Sequence, residues 1–94
     1  MTGPADSADT NRRKRVLFRA WHRGIRENDL VLGPFADAHV AALDSQELDD
    51  FETLLSAPDG DLHDWFTGRS APPERFNRSL IERIRAHTLQ RPTS

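Results

Sequence analysis

Apolar residues recur every three or four positions along most of the chain, which is the spacing of one face of an α-helix. The first stripe predicts a helix that begins after an N-cap at Thr10. Its apolar face consists of Val16, Leu17, Ala20, Trp21 and Gly24. Its opposite face is basic and consists of Arg12, Arg15, Arg19, Arg23 and Arg26. Because glycine is a poor helix former, Gly24 is expected to end this helix or to allow another backbone to approach closely.

A second stripe predicts a helix that Gly33-Pro34 kinks or splits, because proline lacks the N–H that a helix interior needs. Its apolar positions are Leu30, Val31, Phe35, Ala38, Ala41, Ala42 and Leu43. The third helix has the clearest beginning. Asp44 and Glu47 have the spacing of a capping box, and Leu43 and Leu48 have that of a hydrophobic staple. Its predicted buried face is Leu48, Phe51, Leu54 and Leu55.

Turn residues separate the last two predicted helices from the rest. After the turn at residues 57–60, Asp61 is predicted to cap a short helix that Gly68 ends. The apolar residues of this helix are Leu62, Trp65 and Phe66. Pro72 and Pro73 are predicted to open the fifth helix, because proline fits the first turn. Its core face is predicted to be Phe76, Leu80, Ile81, Ile84 and Leu89.

These elements predict an all-α fold, a compact bundle of about five short helices in a single domain. No segment has the period of two that is typical of strands. The helical domain is expected to span residues 11–90. Residues 1–10 have almost nothing to bury, so they are expected to form a disordered leader, and residues 91–94 a flexible tail.

Length and composition narrow the classes of function. The chain has 94 residues, so its core is thin, which favours a binding role over an enzyme with a deep pocket. Cysteine is absent, which excludes disulfides, thiolate zinc sites and cysteine nucleophiles. No apolar run approaches the ~18 residues of a membrane span, and the acidic start is unlike a signal or transit peptide. We therefore expect a cytoplasmic bacterial protein that is monomeric when free.

The net charge of −2 conceals a strong segregation of charge. Residues 11–26 contain seven Lys or Arg and no acids, whereas residues 27–64 contain eleven Asp or Glu and no Lys or Arg. Such blocks create fields that orient a partner. The basic block suggests a nucleic-acid-binding protein as one alternative, but the acidic middle and the sequence pI near 6.0 argue against it. A structural or toxin–antitoxin-like interaction module is the other alternative.

The sequence contains few residues arranged for chemistry. No two of its four histidines are three to five residues apart, so the usual helical zinc pair is missing. There is no glycine-rich phosphate loop, and Asp59, Asp61 and Asp64 do not have the spacing of a calcium loop. We therefore expect no metal site and no cofactor of its own, and an enzyme acting alone is the least favoured class.

The segment from Trp21 to Glu27 is the strongest candidate for a binding site. If the helix continues through Gly24, Arg23 and Glu27 share a face, with Arg19 one turn earlier. Arginine grips carboxylates with two bonds, and glycine admits a partner's backbone. The alternative is an ordinary exposed ion pair, worth ~0.2–0.5 kcal/mol.

Residues 15–37, RVLFRAWHRGIRENDLVLGPFAD, resemble the family of FAD assembly factors for succinate dehydrogenase. The hallmark of that family is Arg-Gly-x-x-Glu, which residues 23–27 match in full, and Gly33-Pro34-Phe35 matches as well. Further similarity lies, at similar spacing, in Glu47-Leu48, Phe51-Glu52, Leu54-Leu55 and Asp61-Leu62-His63-Asp64-Trp65. The resemblance covers roughly residues 12–85.

The resemblance implies a five-helix assembly factor rather than an enzyme. Such factors bind the flavoprotein subunit of succinate dehydrogenase, and in some bacteria that of fumarate reductase, and promote covalent attachment of FAD to a histidine of this client. The cofactor is then the client's, and whether the chain touches FAD directly is left open. The implied client contact is Arg23, Gly24 and Glu27, to which we add Arg19, His22 and Arg26 as neighbours in sequence.

Overall fold

Five α-helices and one 3₁₀ turn make up the part of the chain that the computed structural model describes. This part is residues 4–90, with side chains described from residue 9 to residue 89. The helices are α1 (Pro4–Trp21), α2 (Arg26–His39), α3 (Ser45–Leu55), α4 (Asp59–Thr67) and α5 (Arg78–Gln90), and the 3₁₀ turn is Val40–Ala42. Within residues 4–90 there is no strand. The predicted all-α class and five helices are confirmed.

The first helix is longer than predicted. It begins at Pro4, so the N-cap predicted at Thr10 is wrong, and residues 4–10 of the expected disordered leader are helical. Proline is compatible with a first helical position, and Asp9 pairs with Arg13 one turn later, with Oδ2 and Nε 2.7 Å apart. Residues 1–3 and the predicted tail at 91–94 lie outside the described residues.

The Gly33-Pro34 pair does not split the second helix, which continues through it to His39. Gly33 is buried against the ring of Trp21, and a Cβ at this position would overlap that ring. Trp21 also donates from Nε1 to Asp37 Oδ1 at 3.1 Å. The glycine therefore lets α1 pack closely onto α2, because no side chain separates them.

The termini of the other helices follow the predictions in part. The capping box of α3 is confirmed: the Asp44 carboxylate accepts from the Glu47 N–H at 2.8 Å, and Glu47 accepts from the Asp44 N–H at 2.9 Å. Gly68 ends α4 in a left-handed conformation with φ of 79°, as predicted. The cap predicted at Asp61 is wrong, because α4 already begins at Asp59.

The fifth helix begins later than predicted. The expected opening at Pro72 and Pro73 is wrong, and α5 starts at Arg78. The Asn77 side chain accepts from the Leu80 N–H at 3.2 Å, so it supplies the N-terminal cap. Phe76 lies in the loop before the helix and is still buried, with its ring 4.8 Å from that of Trp65.

The core contains apolar residues from every helix. Its members are Val16, Ala20, Leu32, Phe35, Ala36, Val40, Leu43, Leu48, Phe51, Leu54, Leu55, Ala57, Leu62, Trp65, Phe76, Leu80, Ile81 and Ile84. Leu89 was predicted to join them but is 81% exposed, because it lies at the very end of α5. Leu30, another predicted apolar position, is 48% exposed.

Candidate functional site

The first and second helices are joined by a loop at residues 22–25 that contains the Arg-Gly pair. The helix does not run through Gly24, so the condition under which Arg23 and Glu27 would share one helix face is not met. The Arg23 N–H donates to Asp29 Oδ1 at 2.7 Å. Ile25 is extended and precedes α2 as its N-cap residue. The loop places Arg23 and Glu27 in different surroundings.

The Arg23 side chain turns into the protein. Its Nε donates to Asp59 Oδ1 at 2.9 Å and its Nη2 to the Ala57 carbonyl at 2.7 Å. Its Nη1 donates to the Leu55 carbonyl. The side chain is only 14% exposed. These bonds join the loop to the connection between α3 and α4, so the guanidinium is not available to grip a partner.

The acceptor at the centre of this network is the carboxylate of Asp59. Oδ2 accepts from the Gly24 N–H at 2.9 Å, and Oδ1 accepts from Asn28 Nδ2 at 3.2 Å as well as from Arg23. Asn28 Nδ2 also donates to the Asp59 carbonyl at 2.9 Å. We call Arg23, Gly24, Asn28 and Asp59 the Asp59 clamp. It ties the start of α2 to the start of α4.

Two members of the Asp59 clamp were not predicted as site residues. Asn28 is fully buried and its Oδ1 has no hydrogen-bond partner within the described chain. The signal for it was present, because Asn28, Leu32 and Phe35 share one helical stripe and a polar residue on such a face requires a partner. For Asp59 there was no local signal, since its donors lie more than thirty residues away.

The Asp59 clamp changes the pKa of the Asp59 carboxyl group. Burial alone would raise the pKa of Asp59, but the hydrogen bonds from Asn28 and Arg23, the charge of Arg23 and the Gly24 N–H outweigh it, and the pKa is lowered from its ordinary value of 3.8. A carboxyl with a lowered folded-state pKa adds stability above its unfolded pKa, and this contribution is lost as the pH falls through the folded value.

Acidification should therefore reduce the contribution of Asp59 to stability. We expect Asp59→Asn to be less stable than the wild type at pH 7, with the difference shrinking as the pH falls below about 4. Urea unfolding followed by circular dichroism at several pH values measures this difference. A difference in unfolding free energy that stays constant down to pH 3 would contradict a lowered pKa of Asp59.

The other predicted site residues lie on the surface. Arg19, His22, Arg26 and Glu27 are exposed, and so is the backbone of Gly24. We call these five residues the motif surface. His22 stacks on Phe18 with ring centroids 3.9 Å apart, and its Nδ1 lies 2.8 Å from the Phe18 carbonyl oxygen. Neither Arg26 nor Glu27 forms a salt bridge within the described chain.

Metal binding and histidine chemistry have little support among the described residues. No group of three or more His, Asp or Glu side chains there is placed to hold a metal ion. The ring centroids of His39 and His87 lie 5.3 Å apart. The pKa of His39 is lowered by burial and by the charges of His87 and Arg83. No helix of the described range is long and apolar enough to cross a membrane.

Comparison with known proteins identifies relatives of the chain. A family model described as "Flavinator of succinate dehydrogenase" matches residues 14–88. The FAD assembly factor SdhE of Acetobacter pasteurianus is 37% identical over 83 residues, which are 88% of this chain and 76% of that protein. Mitochondrial succinate dehydrogenase assembly factor 2 is 34% identical over 80 residues in Dictyostelium discoideum and 37% identical over 73 residues in Candida glabrata. The matches cover 85% and 74% of this chain, but only 57% and 48% of those two proteins.

Proposed function

Because the chain belongs to the family of succinate dehydrogenase flavinators, we propose that it binds the flavoprotein subunit of succinate dehydrogenase and promotes covalent attachment of FAD to that subunit. The observation that carries this proposal is the family match over residues 14–88, which includes the whole motif, all of α2, α3 and α4, and parts of α1 and α5. The exposed motif surface supports it, since it offers charged side chains that the described fold leaves unpaired.

The factor acts by holding its client and needs no reactive group or cofactor of its own. Covalent flavinylation requires the client's histidine to be held against the flavin, and orientation alone lowers a barrier by several kcal/mol. A factor that binds the attachment-competent conformation more tightly than the others raises the population of that conformation. The client then completes the reaction by self-flavinylation.

The residues of the motif divide into contact and support. Glu27 orders a client loop or a client cation, with Arg19, His22 and Arg26 around it. The Gly24 backbone, which is exposed, lies next to them. Arg23 was expected to pair with a client carboxylate, but its guanidinium is held by Asp59 and two carbonyls. We therefore assign Arg23 a supporting role, in which it fixes the loop that presents its neighbours.

Replacing Glu27 tests the contact directly. In cells that lack the wild-type factor, Glu27→Ala should abolish covalent flavin on the client, because it removes the proposed client contact. The Glu27 carboxylate is exposed and forms no hydrogen bond or salt bridge within the described residues. Its helicity and unfolding free energy should stay within about 0.5 kcal/mol of the wild type. Ultraviolet in-gel fluorescence measures the covalent flavin, and circular dichroism measures the fold.

Glu74→Ala is the matched control, since Glu74 is an exposed carboxylate in the loop before α5. It should leave the fluorescent band unchanged. An undiminished band with Glu27→Ala would remove Glu27 from the contact. Failure of the wild-type protein to recover the flavoprotein subunit from its own cell lysate would overturn the proposed function itself.

The nucleic-acid alternative loses part of its basis in the structure. Two of the four consecutive basic residues at 12–15 are used within the protein: Arg12 binds Glu52 and Asp49, and Arg13 binds Asp9 and two carbonyl oxygens. We propose that the factor is a cytoplasmic bacterial monomer when free, and that it also serves the flavoprotein subunit of fumarate reductase in cells that contain it.

A further inference from the structure

A small cleft opens between α2, α4 and α5. It has a volume of about 80 Å³ and is lined by Val31, Phe66, Arg85, Thr88 and Leu89. Three of these five side chains are apolar, and Arg85 and Thr88 form the polar part of the wall. The volume is roughly that of two to three water molecules. It suits the end of one large aliphatic side chain rather than a cofactor.

The cleft lies beside the motif surface. Val31 follows Glu27 by four residues in α2, so the two side chains share one side of the helix and their Cβ atoms are about 6 Å apart. Glu27 is exposed and Val31 lines the cleft. A partner that contacts Glu27 therefore reaches the cleft without leaving this side of α2.

Leu89 shows that the cleft is incompletely covered. Its side chain is 81% exposed, the highest value among the three exposed large hydrophobic residues of the described chain, which are Phe18, Leu30 and Leu89. A partly uncovered apolar cleft beside charged side chains has the make-up of a protein interface, in which a polar rim surrounds an apolar centre.

On the basis of the proposed function, we propose that this cleft receives a large aliphatic side chain of the flavoprotein client. The client segment carries a cation that pairs with Glu27 and, near it, an apolar side chain that enters between Val31, Phe66 and Leu89. The position of the cleft next to Glu27 selects the client over a second copy of the chain. The interface thus combines a charged contact with an apolar anchor.

The test is the affinity of the purified factor for the flavoprotein subunit isolated from cells that lack the factor. Leu89→Asp should weaken binding roughly tenfold or more, because it places a charge in the cleft that the client's apolar side chain would otherwise fill. Leu89→Met should bind like the wild type. Ala86→Asp is the matched control: it adds the same charge at an exposed position of α5 outside the cleft, and should leave the affinity unchanged.

The remaining outcomes separate the possible occupants. Wild-type binding with an unchanged affinity for Leu89→Asp overturns the cleft proposal and leaves the proposed function standing, whereas absence of wild-type binding overturns both. Sedimentation that shows a wild-type dimer, dissociated by Leu89→Asp, assigns the cleft to a second copy and overturns the proposal. A chain shortened after Gln90 gives one more outcome. If this chain and Leu89→Asp both lose thermal stability and both keep the wild-type affinity for the client, the cleft belongs to the chain's own tail and the proposal is overturned.

Discussion

Arg23→Ala is expected to lower the free energy of unfolding by roughly 2–4 kcal/mol, one of the two largest effects that we predict for a single replacement. The replacement removes the cationic partner of Asp59, whose side chain is only 23% exposed. It also removes the donors to the Leu55 and Ala57 carbonyls, which join α3 to α4. A partly buried carboxylate and two carbonyls then lose their protein donor together, and such losses are costly.

Urea unfolding followed by circular dichroism measures this effect. Arg26→Ala is the matched control, because Arg26 is exposed and forms no described salt bridge; it should stay within about 0.5 kcal/mol of the wild type. Arg23→Lys should fall between the two, since lysine keeps the charge but not the planar fork that reaches three acceptors. A fully stable Arg23→Ala protein would show that the bonds of Arg23 contribute nothing to folding.

Gly24→Ala is expected to destabilise the protein by about 1–3 kcal/mol. An added Cβ would lie 2.5 Å from Asp59 Oδ2. The carboxylate has little freedom to move away, because Arg23, Gly24 and Asn28 all bind it. The sequence suggested that Gly24 leaves room for a partner. In the fold that room is occupied by the chain's own carboxylate.

A double-mutant cycle isolates this clash. In an Asp59→Ala background, Gly24→Ala should cost much less than in the wild type, so the two effects should fall short of additivity. Gly60→Ala is the control, since a Cβ at Gly60 meets nothing within 4 Å and the residue lies inside α4, where alanine is favoured. Equal effects of Gly24→Ala and Gly60→Ala, or strict additivity in the cycle, would rule the clash out.

Local patterns predicted the features that depend on neighbouring residues. The capping box of Asp44 and Glu47 and the stop at Gly68 need only a few residues in sequence, and both are present. The start of α5 was misplaced because two competing local signals exist. Pro72 and Pro73 favour a first helical turn, but the Asn77 side chain accepts a hydrogen bond from the Leu80 N–H. The helix therefore begins after Asn77.

The Asp59 clamp could not be predicted in the same way. The pentapeptide at residues 23–27 was found from sequence, but the direction of the Arg23 side chain depends on where α4 packs. The same holds for the end of α5, where helical spacing predicted Leu89 to be buried and no element within residues 4–90 covers it. Spacing gives the face of a helix, whereas tertiary packing decides how far along its length that face is buried.

The Asp59 clamp also separates two ways in which an inherited change can inactivate this protein. A lesion at Arg23 or Gly24 is expected to deplete the folded population, after which cellular quality control lowers the amount of protein. If Glu27 contacts the client as proposed, a lesion there should leave a full complement of folded but inert molecules. Increased gene dosage should then compensate for the first kind of lesion and have no effect on the second, although both fall within one five-residue motif.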